Sequence, residues 1–256
     1  MVLSMERWKG KVAIVTGASV GIGAAIVEQL VEQGLQVVGL ARRSEQVEEN
    51  AKKLAGKNGK LHAFKADISK EEDILKAFKW VTENLGPVHI LINNAGIIQQ
   101  TTLVDGDAEK WKKIFDTNVI GLSIATREAV KIMKENKIDG HIIHINSTLG
   151  HKVVSQRYSN VYPASKYAVT ALTETLRQEL NHLGLKIKIS SVSPGPTASE
   201  FARTNNFVFD ENMKKMMEKR LRVKTEDIAD GVIYVLSTPP HVQVHELIIK
   251  PVGDPF

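Results

Sequence analysis

The chain has 256 residues, 43% of them hydrophobic and 25% charged, with a formal net charge of +5 and no cysteine. That is the make-up of a globular chain with a sizeable core, and it excludes disulfides, thiolate catalysis and cysteine-bound metal. No apolar run reaches the length of a membrane span (about 18 residues), residues 1–11 lack the apolar stretch of a signal peptide, and the scattered Lys and Arg read as solvated surface, so neither a membrane span nor a nucleic-acid partner is expected.

The first apolar run, residues 12–15, reads as a buried strand, and a helix is predicted over 24–33, followed by Gly34 where a C-cap glycine belongs. Between them stands Thr16-Gly17-Ala18-Ser19-Val20-Gly21-Ile22-Gly23. Glycines in a strand–turn–helix setting permit a tight turn and let backbone approach a pyrophosphate, which the helix N-terminus favours electrostatically. The alternative is a turn and nothing more. The next strand, 37–40, runs into Ala41-Arg42-Arg43. Sites that choose NAD carry an acidic residue here, about 20 residues beyond the glycines, for the ribose 2′-hydroxyl. None stands at 39–43, and the two guanidinium groups suit a 2′-phosphate, so NADP is the expected cofactor unless the pair is only a solvated loop.

A strand over 61–64, a helix over 71–85 and a strand over 88–92 follow. The last closes in Asn93-Asn94-Ala95-Gly96, read as stabilising the sheet edge and walling the adenosine side. The helix predicted over 108–133 contains Asn118, a poor helix former whose side chain would kink it and retain a water near Lys166. A strand over 141–145 leads to Ser147, at the carboxyl edge where α/β sheets place their ligands, and its hydroxyl would hold a substrate oxygen. The helix over 162–183 opens with Tyr162-Pro163-Ala164-Ser165-Lys166. Four residues is about one turn, so Tyr162 and Lys166 share a face. The ammonium is expected to draw the phenol from its usual pKa near 10 towards neutrality, giving an acid/base for alcohol and alkoxide. Taken singly, each has a plainer reading: Ser147 a cap, Asn118 a surface amide, Asn94 a turn former. A strand over 187–192 reaches Pro194-Gly195, residues 198–224 interrupt the rhythm, and a helix over 225–237 and a strand over 247–249 end it. The strands lack polar alternation, as strands buried on both faces do, and their alternation with helices implies right-handed crossovers. The expected fold is one α/β domain spanning 1–256, a doubly wound Rossmann-type parallel sheet of about seven strands.

Together, Thr16-Gly17-x-x-x-Gly21-x-Gly23, Asn93-Asn94-Ala95-Gly96, Asn118, Ser147, Tyr162-x-x-x-Lys166 and Pro194-Gly195 resemble the short-chain dehydrogenase/reductase family over essentially the whole chain. The resemblance implies a catalytic tetrad of Asn118, Ser147, Tyr162 and Lys166. It implies cofactor contacts at Gly17, Ser19, Gly21, Ile22 and Gly23, and at Asp67 and Ile68 near the adenine. Asn94, with Ala95 and Gly96 beside it, falls at the adenosine ribose, and Pro194, Gly195 and Thr197 near the nicotinamide, where Tyr162 and Lys166 also meet the cofactor. It makes 198–224 a helical substrate lid, and implies a homodimer or homotetramer built on the helices from Ala108 and Tyr162. Two departures stand out. Ser147 and Tyr162 are further apart than is usual, although Tyr158, at the shorter interval, has no lysine four residues on. The basic residue that some NADP-using members carry just before the second glycine is Val20 here, so the NADP preference rests on Arg42 and Arg43.

Segments 118–128, 166–174 and 232–239 resemble, more narrowly, the subgroup holding insect NADP-dependent farnesol dehydrogenases and a vertebrate ketosteroid and carbonyl reductase. Phe201, Phe207, Phe209, Met213, Met216 and Met217 suit a greasy ligand, unless they only pack against the domain, and Ile97, Ile98, Leu149 and Val153 add apolar wall. The expected activity is an NADP-dependent oxidoreductase, without metal, that interconverts a hydrophobic alcohol and its aldehyde or ketone in the cytoplasm. An isoprenoid alcohol such as farnesol is expected ahead of a steroid. A non-catalytic NADP sensor is the alternative, and the presence of both Tyr162 and Lys166 speaks against it.

Overall fold

The computed structural model describes residues 3–154, 158–211, 215 and 220–254. Seven parallel strands form one sheet in the order β3-β2-β1-β4-β5-β6-β7. They are β1 (Val12–Thr16), β2 (Gln36–Ala41), β3 (Lys60–Lys65), β4 (Val88–Asn93), β5 (His141–Ile145), β6 (Lys188–Pro194) and β7 (Glu246–Ile249). Successive side chains of a strand point to opposite faces, and here both faces are covered. Ala13, Val15, Val37, Ile90 and Ile92 face one core with α1 (Gly21–Glu32). Val12, Ile14, Val38 and Leu91 face the other, against α3 (Glu71–Asn84) and the later helices. That two-sided burial is why the strands read as unbroken apolar runs. Among the described residues no helix is long and apolar enough to cross a membrane.

Two features depart from the sequence pattern. Helix α2 (Ser44–Lys53) was not announced by it, because only Val47 of its ten residues is buried and all the rest but Ala51 are polar. The single helix expected over 108–133 is three pieces: α4 (Ala108–Phe115), a π-helical turn (Asp116–Gly121) and α5 (Leu122–Glu135). The expected kink at Asn118 is therefore present, as one wide turn. Helix α6 (Tyr162–His182) starts at Tyr162, with Pro163 in its first turn where no backbone donor is needed. The short α7 (Phe201–Thr204) and α8 (Thr225–Ser237) follow β6.

Polar side chains tie the helices of one face to the middle of the sheet. Asn93 Nδ2 donates to Thr126 Oγ1 (2.9 Å), and the buried His144 ring stands between Thr126 (3.3 Å) and Thr173 (3.0 Å). Burial, with the Lys166 charge adding to it, pulls His144 down to about 3. His141, equally buried on the same strand, is also held well below the usual histidine range by burial, then by Lys188 and Arg7. Both rings are therefore neutral in the fold, while the unfolded chain takes up protons below about 6.5. The unfolded state binds more protons there, so stability is full above pH 6.5 and is lost as the pH falls towards 3. A melting temperature that drops steadily over this window, with a shallower slope in His144→Gln, is the expected result of differential scanning fluorimetry across pH.

Candidate active site

Strands β1 and β4 are neighbours, but the chain winds outward from them in opposite directions, so a crevice opens at their carboxyl ends. Side chains take over where the ladder stops. Thr16 Oγ1 accepts from the backbone N–H of Asn94 (3.0 Å) and Ala95 (2.9 Å), and Asn94 Nδ2 donates to the carbonyls of Thr16 (2.9 Å) and Gly17 (3.1 Å). Gly17 lies at φ +68°, and a Cβ there would stand 2.9 Å from the Ala95 Cα, so only glycine lets the two loops come this close. Helix α1 begins at Gly21, and Val20 before it offers no side-chain cap, leaving the helix's first N–H groups for an anion.

The crevice continues into a cleft of about 1000 Å³. At one end it is lined by Arg42, Arg43, Asp67 and Ile68, in the middle by Gly17, Ser19, Gly21, Ile22, Gly23 and Asn94 to Gly96, and at the other by Pro194, Gly195, Thr197 and the reacting groups. All the expected cofactor positions thus fall on one continuous surface. A glycine-rich turn, two guanidinium groups that pair with no carboxylate among the described residues and an adjacent apolar shelf at Ile68 match the pyrophosphate, the 2′-phosphate and the adenine of a dinucleotide. The residues present fit that group.

At the reacting end, β5 delivers Ser147, α6 delivers Tyr162 and Lys166, and the π turn delivers Asn118. Tyr162 is buried, with Ser147 beside it. Burial pushes its phenol up to about 12, and Ser147 works in the opposite sense. This corrects the expected drift towards neutrality: Lys166 Nζ lies 5.9 Å from the centre of the tyrosine ring, and desolvation is the larger effect. Lys166 is itself buried, pulled down to about 8, and donates to the Ile145 carbonyl (2.9 Å). Asn118 is committed elsewhere. Its Oδ1 accepts from Ile97 N–H (2.8 Å), and Nδ2 donates to the Ile97 carbonyl and to Ser165 Oγ (both 3.0 Å). Both amide hydrogens are thus spent, and the second lone pair of Oδ1 is what Asn118 has left for a water. Ser165 in turn donates to the Tyr162 carbonyl (2.7 Å).

The segment after Gly96 forms one wall. Besides Asn118 on Ile97, it receives Asn205 Oδ1 on Ile98 N–H (3.2 Å), Asn160 Nδ2 on the Gln99 carbonyl (2.9 Å) and Lys110 Nζ on the Gln100 carbonyl (3.3 Å). Ser165, Asn160 and Asn205 were not singled out from sequence, where a lone Asn or Ser carries no spacing signal. Phe201, Phe207 and Phe209 line the cleft, Phe201 6.2 Å from the Tyr162 ring centre and Phe207 5.5 Å from Phe209. Met213, Met216 and Met217 lie outside the described residues. Ile97, Ile98 and Leu149 line the cleft as expected, but Val153 does not: it is 65% exposed, and Val154 takes the place. After the 3₁₀ turn at Thr148–Gly150 the chain runs without helix, and neighbouring side chains turn to different sides.

Residues 11–207 match the short chain dehydrogenase family. The chain is 50% identical over 254 residues to the farnesol dehydrogenase of Aedes aegypti, covering 98% of this chain and all of that one. It is 48% identical over 250 residues to dehydrogenase/reductase SDR family member 11 of Bos taurus, covering 96% of this chain and 98% of the relative. Among solved structures, the closed form of a serine dehydrogenase complexed with NADP+ superposes with a TM-score of 0.85 at 28% identity, covering 96% of each chain.

The Asn118 amide predicts a measurable cost. Asn118→Ala leaves the Ile97 N–H and carbonyl and Ser165 Oγ short of a partner in a buried setting, and a loss of about 2–4 kcal/mol in urea unfolding is expected.

Proposed function

The chain belongs to the short-chain dehydrogenase family and is an oxidoreductase of it; from that premise we propose that it interconverts a hydrophobic alcohol and its aldehyde or ketone with NADP(H), an isoprenoid alcohol such as farnesol leading. The observation that carries this reading is the meeting of a buried tyrosine, a serine and a buried lysine at one end of a cleft whose other end holds two arginines.

In this reading the glycine turn and the α1 N-terminus hold the pyrophosphate, Arg42 and Arg43 the 2′-phosphate, Asp67 and Ile68 the adenine end, Asn94 to Gly96 the ribose, and Pro194, Gly195 and Thr197 the nicotinamide end. The bound nicotinamide supplies or accepts a hydride. The protein handles the oxygen and the proton. The Ser147 hydroxyl holds the substrate oxygen beside Tyr162. With its pKa near 12 the phenol carries its proton at neutral pH, the form needed to protonate an alkoxide. Oxidation of an alcohol needs the phenolate, which positive charge favours, here from the Lys166 ammonium and from any cationic ring brought into the cleft. Asn118 holds Ile97 and, through Ser165, the first turn of α6, so its part in the tetrad is to position.

Apolar and aromatic walls at Ile97, Ile98, Leu149, Phe207 and Phe209 suit a long hydrocarbon substrate. A bulkier carbonyl such as a ketosteroid is the second reading, favoured by the width of the same cleft. Residues 198–224 act as the substrate lid of a single domain over 1–256. Ile120 and Tyr167, 52% and 42% exposed on the π turn and α6, offer the apolar surface for a homodimer or homotetramer in the cytoplasm.

Three outcomes are expected. Tyr162→Phe keeps its affinity for NADPH and loses about 10³-fold or more in kcat, measured by steady-state turnover; retention of a few per cent of activity would refute the proton role. Arg42→Asp with Arg43→Ser lowers the NADP-over-NAD ratio of kcat/KM by about 100-fold, and an unchanged ratio would remove the cofactor assignment. In a panel of alcohols and carbonyls, kcat/KM is highest for long isoprenoids, and a maximum at short polar alcohols or sugars would overturn the substrate class.

A further inference from the structure

The turn from Thr16 to Gly23 contains no cation. A pyrophosphate on it brings two negative charges, which backbone N–H groups and a helix terminus meet only with partial charges. One guanidinium reaches this turn from far along the chain. Arg222 lines the main cleft and also a smaller hollow of about 450 Å³ beside it, whose walls are Ser19, Val20 and Gly21 of the turn together with Ser199 and Thr225.

Backbone bonding fixes this placement. Ala198 N–H donates to the Val223 carbonyl (2.8 Å) and Val223 N–H to the Pro196 carbonyl (2.9 Å), a short parallel bridge that joins the two ends of 198–224. The bridge rests on the glycine turn: a Cβ on Gly21 would stand 3.6 Å from the Ser199 Cβ. Arg222 is the residue next to the bridge. Among the described residues no carboxylate pairs with it, and the acid on the same hollow, Glu200, is paired with Arg203 (2.5 Å). Its side chain is exposed, so it meets an anion with little desolvation to overcome.

We infer that Arg222 is a pyrophosphate-binding residue, supplying from the base of the lid the positive charge that the glycine turn lacks at Val20. The inference rests on the dinucleotide reading above. It assigns Arg222 a job distinct from that of Arg42 and Arg43. The pyrophosphate is common to NAD and NADP, whereas the 2′-phosphate belongs to NADP alone. The grip also ties the lid's hinge to the cofactor, since a fork on one phosphate holds residue 222 and through it the bridge at Val223.

Fluorescence titration of the full chain with NADPH and with NADH, without substrate, separates the possibilities. Arg222→Met is expected to raise Kd for both nucleotides about tenfold and leave their ratio unchanged. Arg222→Lys, which keeps the charge and loses the fork, is expected to fall between, and Val20→Arg in the Arg222→Met background to recover most of the loss. The melting temperature without nucleotide stays at the parent value, because Arg222 is exposed and makes no ion pair among the described residues. Unchanged Kd values for both nucleotides overturn the inference. So does a loss confined to NADPH, which would put Arg222 on the 2′-phosphate, and so does a change only in substrate KM. A parent protein that binds neither nucleotide refutes the dinucleotide reading itself, a result distinct from any behaviour of the variants.

Discussion

Where β1 and β4 separate, the last amides and carbonyls of both strands would face a crevice with no ladder to satisfy them. Thr16 and Asn94 resolve this by crossing the gap, one hydroxyl accepting two backbone N–H groups and one amide serving two carbonyls. Buried or half-buried backbone groups left unpaired would be costly. The crossing also sets the distance between the two loops at the contact of Gly17 with Ala95. Every other part of the site inherits its position from that stitch. The glycine turn leads from it into α1, and Gly96 leads from it to Ile97, which Asn118 grips. The glycine turn and the Ile97 wall therefore share one joint, although nearly 80 residues separate Thr16 from Asn94 in sequence.

The electrostatics of the reacting end follow from burial more than from pairing. Among the described residues Lys166 has no carboxylate partner and rests on the Ile145 carbonyl, so the cost of dehydrating its charge appears as a pKa near 8. Tyr162, sunk beside it, holds its proton to about 12. The two shifts move the pair apart, a lysine readier to lose its proton and a tyrosine slower to do so. Such a pair responds strongly to a further charge in the cleft, because little water is present to screen it. His144 lies on the strand directly behind, and its neutrality spares Lys166 a second buried positive neighbour.

Much of this arrangement was legible in the sequence, and the reason is physical. Strands covered on both faces must be apolar throughout, so the five strands out to β5 could be read directly as apolar runs. A glycine turn between strand and helix, and a Tyr-Lys pair one turn apart, are local patterns with fixed geometry. What escaped reading depends on partners remote in sequence. Helix α2 has a single buried residue and takes its place from β2 and β3, not from a stripe of its own. The π turn is set by Asn118 reaching Ile97 and Ser165, contacts across 21 and 47 residues. The phenol's pKa depended on burial, which no tetrapeptide spacing reports. Val153 and Val154 are adjacent, and only the path of the chain after Gly150 decides which of them faces the cleft.

The wall opposite the reacting groups is organised by a different logic from the core. Ile97 and Ile98 present apolar side chains to the cleft, and the backbone from Ile97 to Gln100 is held by polar side chains from four separate elements: Asn118 of the π turn, Asn160 before α6, Asn205 after α7 and Lys110 of α4. Gln100 adds a reciprocal pair with the backbone of Val208, donating to its carbonyl (3.1 Å) and accepting from its N–H (3.0 Å). Hydrogen bonds fix the backbone of this wall, so its side chains are free to vary in size without loosening the fold. The phenylalanines that face it hang from the same latches, Phe201 four residues before Asn205 and Phe207 next to Val208. Specificity can therefore shift with those few apolar side chains, while Lys166 stays anchored to β5 through the Ile145 carbonyl and Tyr162 to the first turn of α6 through Ser165.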